Sequence, residues 1–346
     1  MDLPERDPVV PDPRDGLPAL VLSRRDIAGL MSLPDYEAAV EAAFRAYADG
    51  DVESPLPTHV KTPNGTFHAK SAGLRLARRR YVAVKMNGNF PQNPKRNGLP
   101  TIQGVVMLCD GDDGTVLAIL DSIEVTLRRT AAATVLAARY LARNQCDRVA
   151  LCGCGAQGRA QLEALAAALP LKHVLVWDVD HDRAQQFARE IGAALCLEVA
   201  AVTEPQHATQ HARFIVTATT AHAPFLTPAM VPPGAFIAAV GADNAEKSEL
   251  APELMAASTI VVDLLAQAAT MGDLHHAIDA GAMTAGDVHA ELADVIVGRK
   301  PGRTRDDQTI VFDSTGTAMQ DVASAVAIWQ RATAKRIGTS IHFGAL

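Results

Sequence analysis

Residues 148–165 read RVALCGCGAQGRAQLEAL, and two chemistries compete within them. Gly153, Gly155 and Gly158 spell GxGxxG, the pattern of a turn that cradles a dinucleotide. Cys152 and Cys154 flank a single glycine, the pattern of a thiol pair for a metal or a disulfide. The triplet follows an apolar strand (VALC) and opens a helix (RAQLEAL), which is the context a cradle requires. The first glycine serves a tight turn, the second lets the backbone approach a pyrophosphate, and the third lets helix pack on strand. The anion then meets free N–H groups at the helix N-terminus. Asp178 ends the next apolar run, HVLVWD, 20 residues after Gly158. A carboxylate there accepts hydrogen bonds from a ribose 2′-OH and repels a 2′-phosphate, which favours NAD over NADP.

The thiol reading needs partners that the chain does not offer. Structural zinc takes two or more spaced pairs, and no second C-x-C or C-x-x-C completes four ligands. His207 and His211 have i, i+4 spacing, but HATQH lacks the acid of a zinc hydrolase, and His275-His276 reads as a helix surface. No metal is expected. Cys152 is expected to point into the sheet and Cys154 to replace a small residue in the loop.

Working outward, 346 residues is long for one core, so two domains are expected. The chain is 48% hydrophobic and 21% charged with a net charge of -7, ordinary for a globular protein and no inducement to bind nucleic acid. Five thinly spread cysteines fit a reducing cytoplasm better than a disulfide framework. No run approaches the ~18 apolar residues of a membrane span. The start, MDLPERDPVVPDPRDGLP, has acids and prolines where a signal peptide has a basic start, and is expected to be a flexible lead-in over 1–18.

Residues 34–48 carry apolar side chains at helical spacing, with Pro34 and Asp35 suited to a first turn. From about 57 to 120 the runs THVKT, TFHAKSA, YVAVKMN, GVVMLCD and TVLAILD alternate with turn signals and predict a mainly antiparallel sheet. Residues 122–143 read as a long alanine-rich helix. Beyond it, apolar strands and helices alternate through TIVVDLL, which predicts a doubly wound parallel sheet of Rossmann type. A last helix is expected over 317–336.

Three clusters mix polar groups into apolar surroundings: KMNGNFPQNPKRNGLPT (85–101), LRRTAAAT (127–134) and VGADNAEKSEL (240–250). Asp243 follows an apolar strand, at the carboxyl end where open α/β sheets place ligands. Alone, each residue has a plainer reading. Lys85 fits a strand edge, Asp243 a turn or N-cap, and Arg129 a pair with Glu124 or an acid elsewhere on the helix surface.

With GCGAQG, WDVD, IVTAT and FDSTG, these clusters resemble the ornithine cyclodeaminase/mu-crystallin family from about residue 25 to 335, the motifs falling in the family's order. The resemblance implies a Rossmann-type domain (131–312) inserted in a mainly antiparallel α+β substrate and dimerisation domain (19–130 plus 313–346), and a homodimer. It implies an NAD(P)-dependent enzyme acting at the Cα–N bond of a small amino or imino acid. The chemistry is cyclodeamination of the ornithine-to-proline type or, nearly level with it, imine or ketimine reduction or amino-acid dehydrogenation. A non-catalytic binding protein like some mu-crystallins is the rival from another class, and the presence of Lys85, Arg129 and Asp243 speaks against it.

The resemblance also assigns residues. Lys85 and Arg129 bind the substrate carboxylate, Arg129 also touching the cofactor, and Asp243 shuttles a proton to and from the substrate nitrogen. Thr315 lines the substrate. Thr101, Ala156, Gln157, Asp178, Thr217, Lys247 and Ser314 join the glycines as cofactor contacts, with the backbone from Ile237 to Val240 beneath the nicotinamide ribose. One carboxylate can serve as both acid and base if burial raises its pKa toward neutrality. The chain departs from the pattern in SPLPTHVKT, which lacks the family's arginine and offers His59 or Lys61 instead. Lys70 is an added cation where cyclodeaminases carry an apolar residue, and it suits a second carboxylate.

Overall fold

The computed structural model describes residues 18–143 and 146–343, so the lead-in expected over 1–18 lies outside the described residues except for Pro18. The runs between 57 and 120 become the strands Thr58–Thr62, Gly65–Leu76, Arg79–Asn89, Ile102–Asp110 and Val116–Asp121. With Val52–Glu53, Ala19–Leu22 and Thr339–Ile341 they form one eight-stranded sheet. Its neighbours are antiparallel except where Ala19–Leu22 runs parallel to Val116–Asp121. Side chains alternate faces along each strand. Register therefore sets Lys70, Lys85 and Val106 side by side on one face, and Ala69, Met86 and Val105 on the other.

The face that carries the lysines is covered by three helices, Leu33–Ala48, Ser122–Leu141 and Ala318–Lys335. The first begins where Asp35 accepts from the backbone N–H of Ser32, an acid at the third helical position closing the N-terminus. It buries Tyr36, Ala39, Val40, Ala43 and Phe44. Ser122–Leu141 is unbroken, so residues 130 and 131 lie within one helix.

The second sheet is wholly parallel. Across it lie Glu198–Ala201, His173–Trp177, Arg148–Cys152, Phe214–Thr217, Phe236–Ala239, Ile310–Asp313, Thr259–Val262 and Ala290–Glu291. Chain order runs one way from Arg148–Cys152 and the other way from Phe214–Thr217. The reversal opens a crevice beyond the carboxyl ends of these two strands, where doubly wound sheets bind ligands. Phe214, Phe236 and Phe312 are fully buried within the strands that frame it. Among the described residues no helix is long and apolar enough to cross a membrane.

Candidate active site

The glycine stretch lies at this crevice. Gly153 leaves the strand with φ near +109°, a backbone state that favours glycine, and a Cβ there would stand 2.5 Å from the carbonyl oxygen of Ala218. A Cβ on Gly158 would stand 2.0 Å from the carbonyl oxygen of Gly153, so helix and loop touch without room for a methyl. Gly155 differs from both. A Cβ there would meet nothing within 4 Å, so this position faces open space at the start of the helix Ala156–Ala168. No side chain caps that helix and no acid stands in its first turn. Free N–H groups beside an open cradle fit a pyrophosphate, and the buried amide nitrogen of Gln157, without a partner, lies in the same turn.

Asp178 is buried at the end of the neighbouring strand. Its carboxylate accepts from the backbone N–H of Cys154 at 2.9 Å and of Asp180 at 3.0 Å, bracing the loop it faces. The thiols of Cys152 and Cys154 are free and buried. Burial, with Asp178 nearby, pushes Cys154 up to about 12, so that thiol stays protonated at neutral pH. Both cysteines act as packing groups, and among the described residues no cluster of three or more His, Cys, Asp or Glu is placed to hold a metal ion.

The cations gather on the first sheet and a helix that covers it. Lys85 and Arg129 come from a strand and a helix and are both buried. They meet on one carboxylate, Asp321 of the helix Ala318–Lys335: Lys85 Nζ lies 2.6 Å from Oδ2 and Arg129 Nε 3.0 Å from Oδ1. Arg129 also donates to Oε1 of Gln320 at 3.0 Å. Burial resists the charge on Asp321, but Lys85 and Arg129 outweigh it and hold the pKa below its ordinary value. For Lys85 burial wins, joined by repulsion from Arg129 and Lys70, and its pKa falls to about 8. The surface pair with Glu124 belongs instead to Arg128, one residue earlier, which also reaches Glu163 at 2.8 Å.

Lys70, beside Lys85 in register, donates to the backbone carbonyls of Thr315 at 3.0 Å and Gly316 at 2.9 Å. Burial lowers its pKa, with Arg129 acting the same way and Asp243 and Asp321 opposing. Asp243 lies in the loop after Phe236–Ala239 with its side chain 51% exposed to the crevice, and Lys247 Nζ pairs with it at 2.7 Å. Surrounding protein disfavours its charge, yet Lys247 and Lys70 prevail and hold it at about 2. The condition under which one carboxylate serves as both acid and base, a pKa raised toward neutrality, is not met while Lys247 stays paired with it. His68 shares a strand face with Lys70 and lies in the field of Asp243, burial lowering its pKa.

Beneath these groups, four buried acids knit the loops at the strand ends. Glu249 accepts from the hydroxyls of Thr217 and Thr219 and from the backbone N–H groups of Thr219 and Gly241, at 2.6–3.0 Å. Asp273 accepts from the N–H groups of Glu249 and Leu250, Asp313 from that of Leu274, and Asp263 from Thr315 and Gly316. Burial raises all four pKa values, that of Asp273 to about 7 with Glu249 adding to the shift.

Several expected contacts are placed otherwise. His59 is exposed on the edge strand, its ring 6.4 Å from that of His68, which holds the inner position. Lys61 reaches Glu246 at 2.9 Å on the surface. The Thr315 hydroxyl turns away from the crevice to donate to Asp263 at 2.9 Å and accept from Gln267, leaving only its carbonyl toward Lys70. Thr217 spends its hydroxyl on Glu249. The side chain of Ile237 packs in the core two residues short of the strand end, and the backbone runs on from it through Ala239 to Val240. Thr101 accepts from the Phe90 N–H through its carbonyl, and the buried hydroxyl of Ser314 has no partner. His276 is more than helix surface, since its Nε2 lies 2.9 Å from the carbonyl oxygen of Lys247. The sequence reading passed over His68, Glu249, Gln320 and Asp321. For Asp321 the signal was present: an acid inside the apolar run AMQDVASAVAIW.

The ornithine cyclodeaminase/mu-crystallin family model matches residues 18–336. The chain is 34% identical over 326 residues to an alanine dehydrogenase of Archaeoglobus fulgidus, covering 94% of this chain and 98% of that protein. A solved archaeal alanine dehydrogenase dimer with bound NAD superposes with a TM-score of 0.88 at 34% identity, covering 94% of this chain and 99% of that one. The Δ1-pyrroline-2-carboxylate reductase of Thermococcus litoralis, solved with NADH and L-proline, also gives 0.88, at 30% identity over 93% and 100% of the two chains.

Proposed function

The chain belongs to the ornithine cyclodeaminase/mu-crystallin family, and from that premise we propose that it is an NAD-dependent enzyme acting at the Cα–N bond of a small amino or imino acid. One observation carries the proposal. Lys85 and Arg129 are buried together on Asp321, Lys70 beside them lies in the field of both Arg129 and Asp243, and Asp243 follows a strand of the sheet that carries the open glycine cradle. Gly155, Gln157 and Asp178 would hold NAD, whose bound nicotinamide supplies or accepts the hydride at the substrate carbon. Solved relatives with NAD or NADH bound support that cofactor.

Each group of this chain has a distinct task. Lys85 and Arg129 bind the α-carboxylate, and Asp321 fixes both by sharing its two oxygens between them, so the anchored carbon has one orientation. Asp321 is a positioning residue, since it reaches the substrate only through its partners. Asp243 moves the proton at the substrate nitrogen, taking it from an ammonium or giving it to an imine. In the free protein Lys247 holds Asp243 ionised. Withdrawal of Lys247 is the change that would let Asp243 carry a proton.

Net reduction or dehydrogenation and cyclodeamination use this same anchor and shuttle. They separate in one assay: a reductase or dehydrogenase changes absorbance at the nicotinamide band, whereas a cyclodeaminase releases ammonia with no net change. Asp243→Asn is expected to lower kcat by about 10²–10⁴ while NAD affinity holds, the range for removal of one general acid–base group. Unchanged kcat would dismiss Asp243 as the shuttle. We also propose that two copies pair as a homodimer, as in the archaeal alanine dehydrogenase dimer.

A further inference from the structure

We propose that Lys70 makes this pocket selective for a substrate with two carboxylates, an α-amino or α-imino dicarboxylate whose side-chain carboxylate lands on the Lys70 ammonium. This deepens the reading above and rests on it for the placement of the α-carboxylate.

Charge balance carries the inference. Of the cations that face the pocket, Lys85 and Arg129 share one counter-charge, Asp321. Lys247 and Asp243 offset each other. The anchor is left one positive charge in excess, which matches a single α-carboxylate. Lys70 is a further excess, because among the described residues no carboxylate lies within ion-pair distance of its Nζ. Of the acids in whose field it lies, Asp243 is paired with Lys247, Asp321 with Lys85 and Arg129, and Asp263 is spent on the hydroxyl of Thr315 and the N–H of Gly316. A half-buried ammonium without a counter-ion is costly, and an anion supplied by the ligand removes that cost.

Geometry gives the same answer. An ammonium has three donors, and Lys70 spends two on the carbonyls of Thr315 and Gly316, which fixes the direction of the third. Register sets Lys70 beside Lys85 on the same face, and neighbouring strands lie about 5 Å apart. The guanidinium of Arg129 closes the other side, its Nη atoms 2.9 Å from where a Cβ on Gly316 would stand. Anchor and second cation are thus a few bonds apart, the span of a short dicarboxylic side chain. The distal ammonium of ornithine or lysine would instead meet Lys70 as a like charge.

The test uses the NAD-loaded protein with L-aspartate, L-alanine and L-ornithine as probes, binding being followed by calorimetry and turnover at the nicotinamide band. Expected is at least tenfold tighter binding of aspartate than of alanine or ornithine. Lys70→Met, close to lysine in length, should weaken aspartate by about tenfold or more and leave alanine within threefold. Wild-type protein that binds alanine or ornithine as tightly as aspartate overturns the proposal without any variant. Equal weakening of aspartate and alanine in Lys70→Met also overturns it, since Lys70 would then serve the pocket's shape. Aspartate bound through Lys70 with no absorbance change for any amino or imino acid would leave this inference standing and dismiss net hydride transfer.

Discussion

Lys85 links charge, burial and pH. Its ammonium is the form that binds a carboxylate, and burial brings its pKa to about 8 although Asp321 stays ionised 2.6 Å away. The sign follows directly. Below about 8 the anchor is charged, and above it the proton is lost and substrate affinity falls. The profile of kcat/KM, which reports the free enzyme, is therefore expected to be level up to about pH 8 and then to drop about tenfold per pH unit. Lys85→Arg keeps its charge at all accessible pH and should abolish that limb, whatever it does to the maximum rate. A limb that persists in Lys85→Arg would assign the titration elsewhere. At this scale the sequence was legible where motifs marked residues that folding brings together, as Lys85 and Arg129 meet on one carboxylate. It was silent where meaning came from a partner distant in the chain. Asp321 stands out as an acid within an apolar run, yet nothing in the sequence pairs it with Arg129, 192 residues away. For Asp243 the sequence left the charge state open, because it depends on Lys247, whose side-chain direction no spacing rule supplies.

The helix Ala156–Ala168 and its glycine loop were the most legible element, because strand, triplet and helix each constrain the others. Its three glycines are nevertheless not equivalent, and that difference gives a prediction. Gly158→Ala puts a methyl against the carbonyl of Gly153 and forces helix and strand apart, so both thermal stability and NAD affinity should fall. Gly155→Ala puts its methyl into open space at the helix start, where only a ligand would meet it. Its Tm should stay within about 2 °C of wild type while NAD affinity falls about tenfold or more, a loss of about 1.4 kcal/mol. Calorimetric titration with NAD beside a thermal melt separates the two. Undiminished NAD binding by Gly155→Ala would mean that the pyrophosphate does not lie against this turn. Strands such as Gly65–Leu76 and Arg79–Asn89 were equally visible from their turns, but their register was not. Register is what puts Lys70 beside Lys85 and His59 opposite His68, and only the edge position of its strand leaves His59 exposed outside His68.

At the scale of the whole molecule, the antiparallel sheet has one face under three helices and another bare of cover among the described residues. The bare face exposes Met86 by 50%, Val105 by 46%, Phe67 by 38% and Met107 by 37%. Register clusters them, with Met86 opposite Val105 and Val84 opposite Met107. A contiguous apolar patch on a sheet face is an association surface, and a second copy presenting the same patch about a twofold axis would bury it. Strand alternation ties this surface to chemistry. Ala69 and Met86 on the bare face are chain neighbours of Lys70 and Lys85 on the other, so packing by a second copy would stiffen the strands that aim both cations. Met86→Glu combined with Val105→Glu puts like charges opposite each other on both copies and should convert a dimer to a monomer by light scattering. Because the same strands aim the cations, KM for a carboxylate substrate should rise several-fold in that monomer, with Asp243 and the NAD cradle intact. A wild-type monomer would remove the dimer, and a dissociated variant with unchanged KM would show that the sheet holds its lysines without a partner.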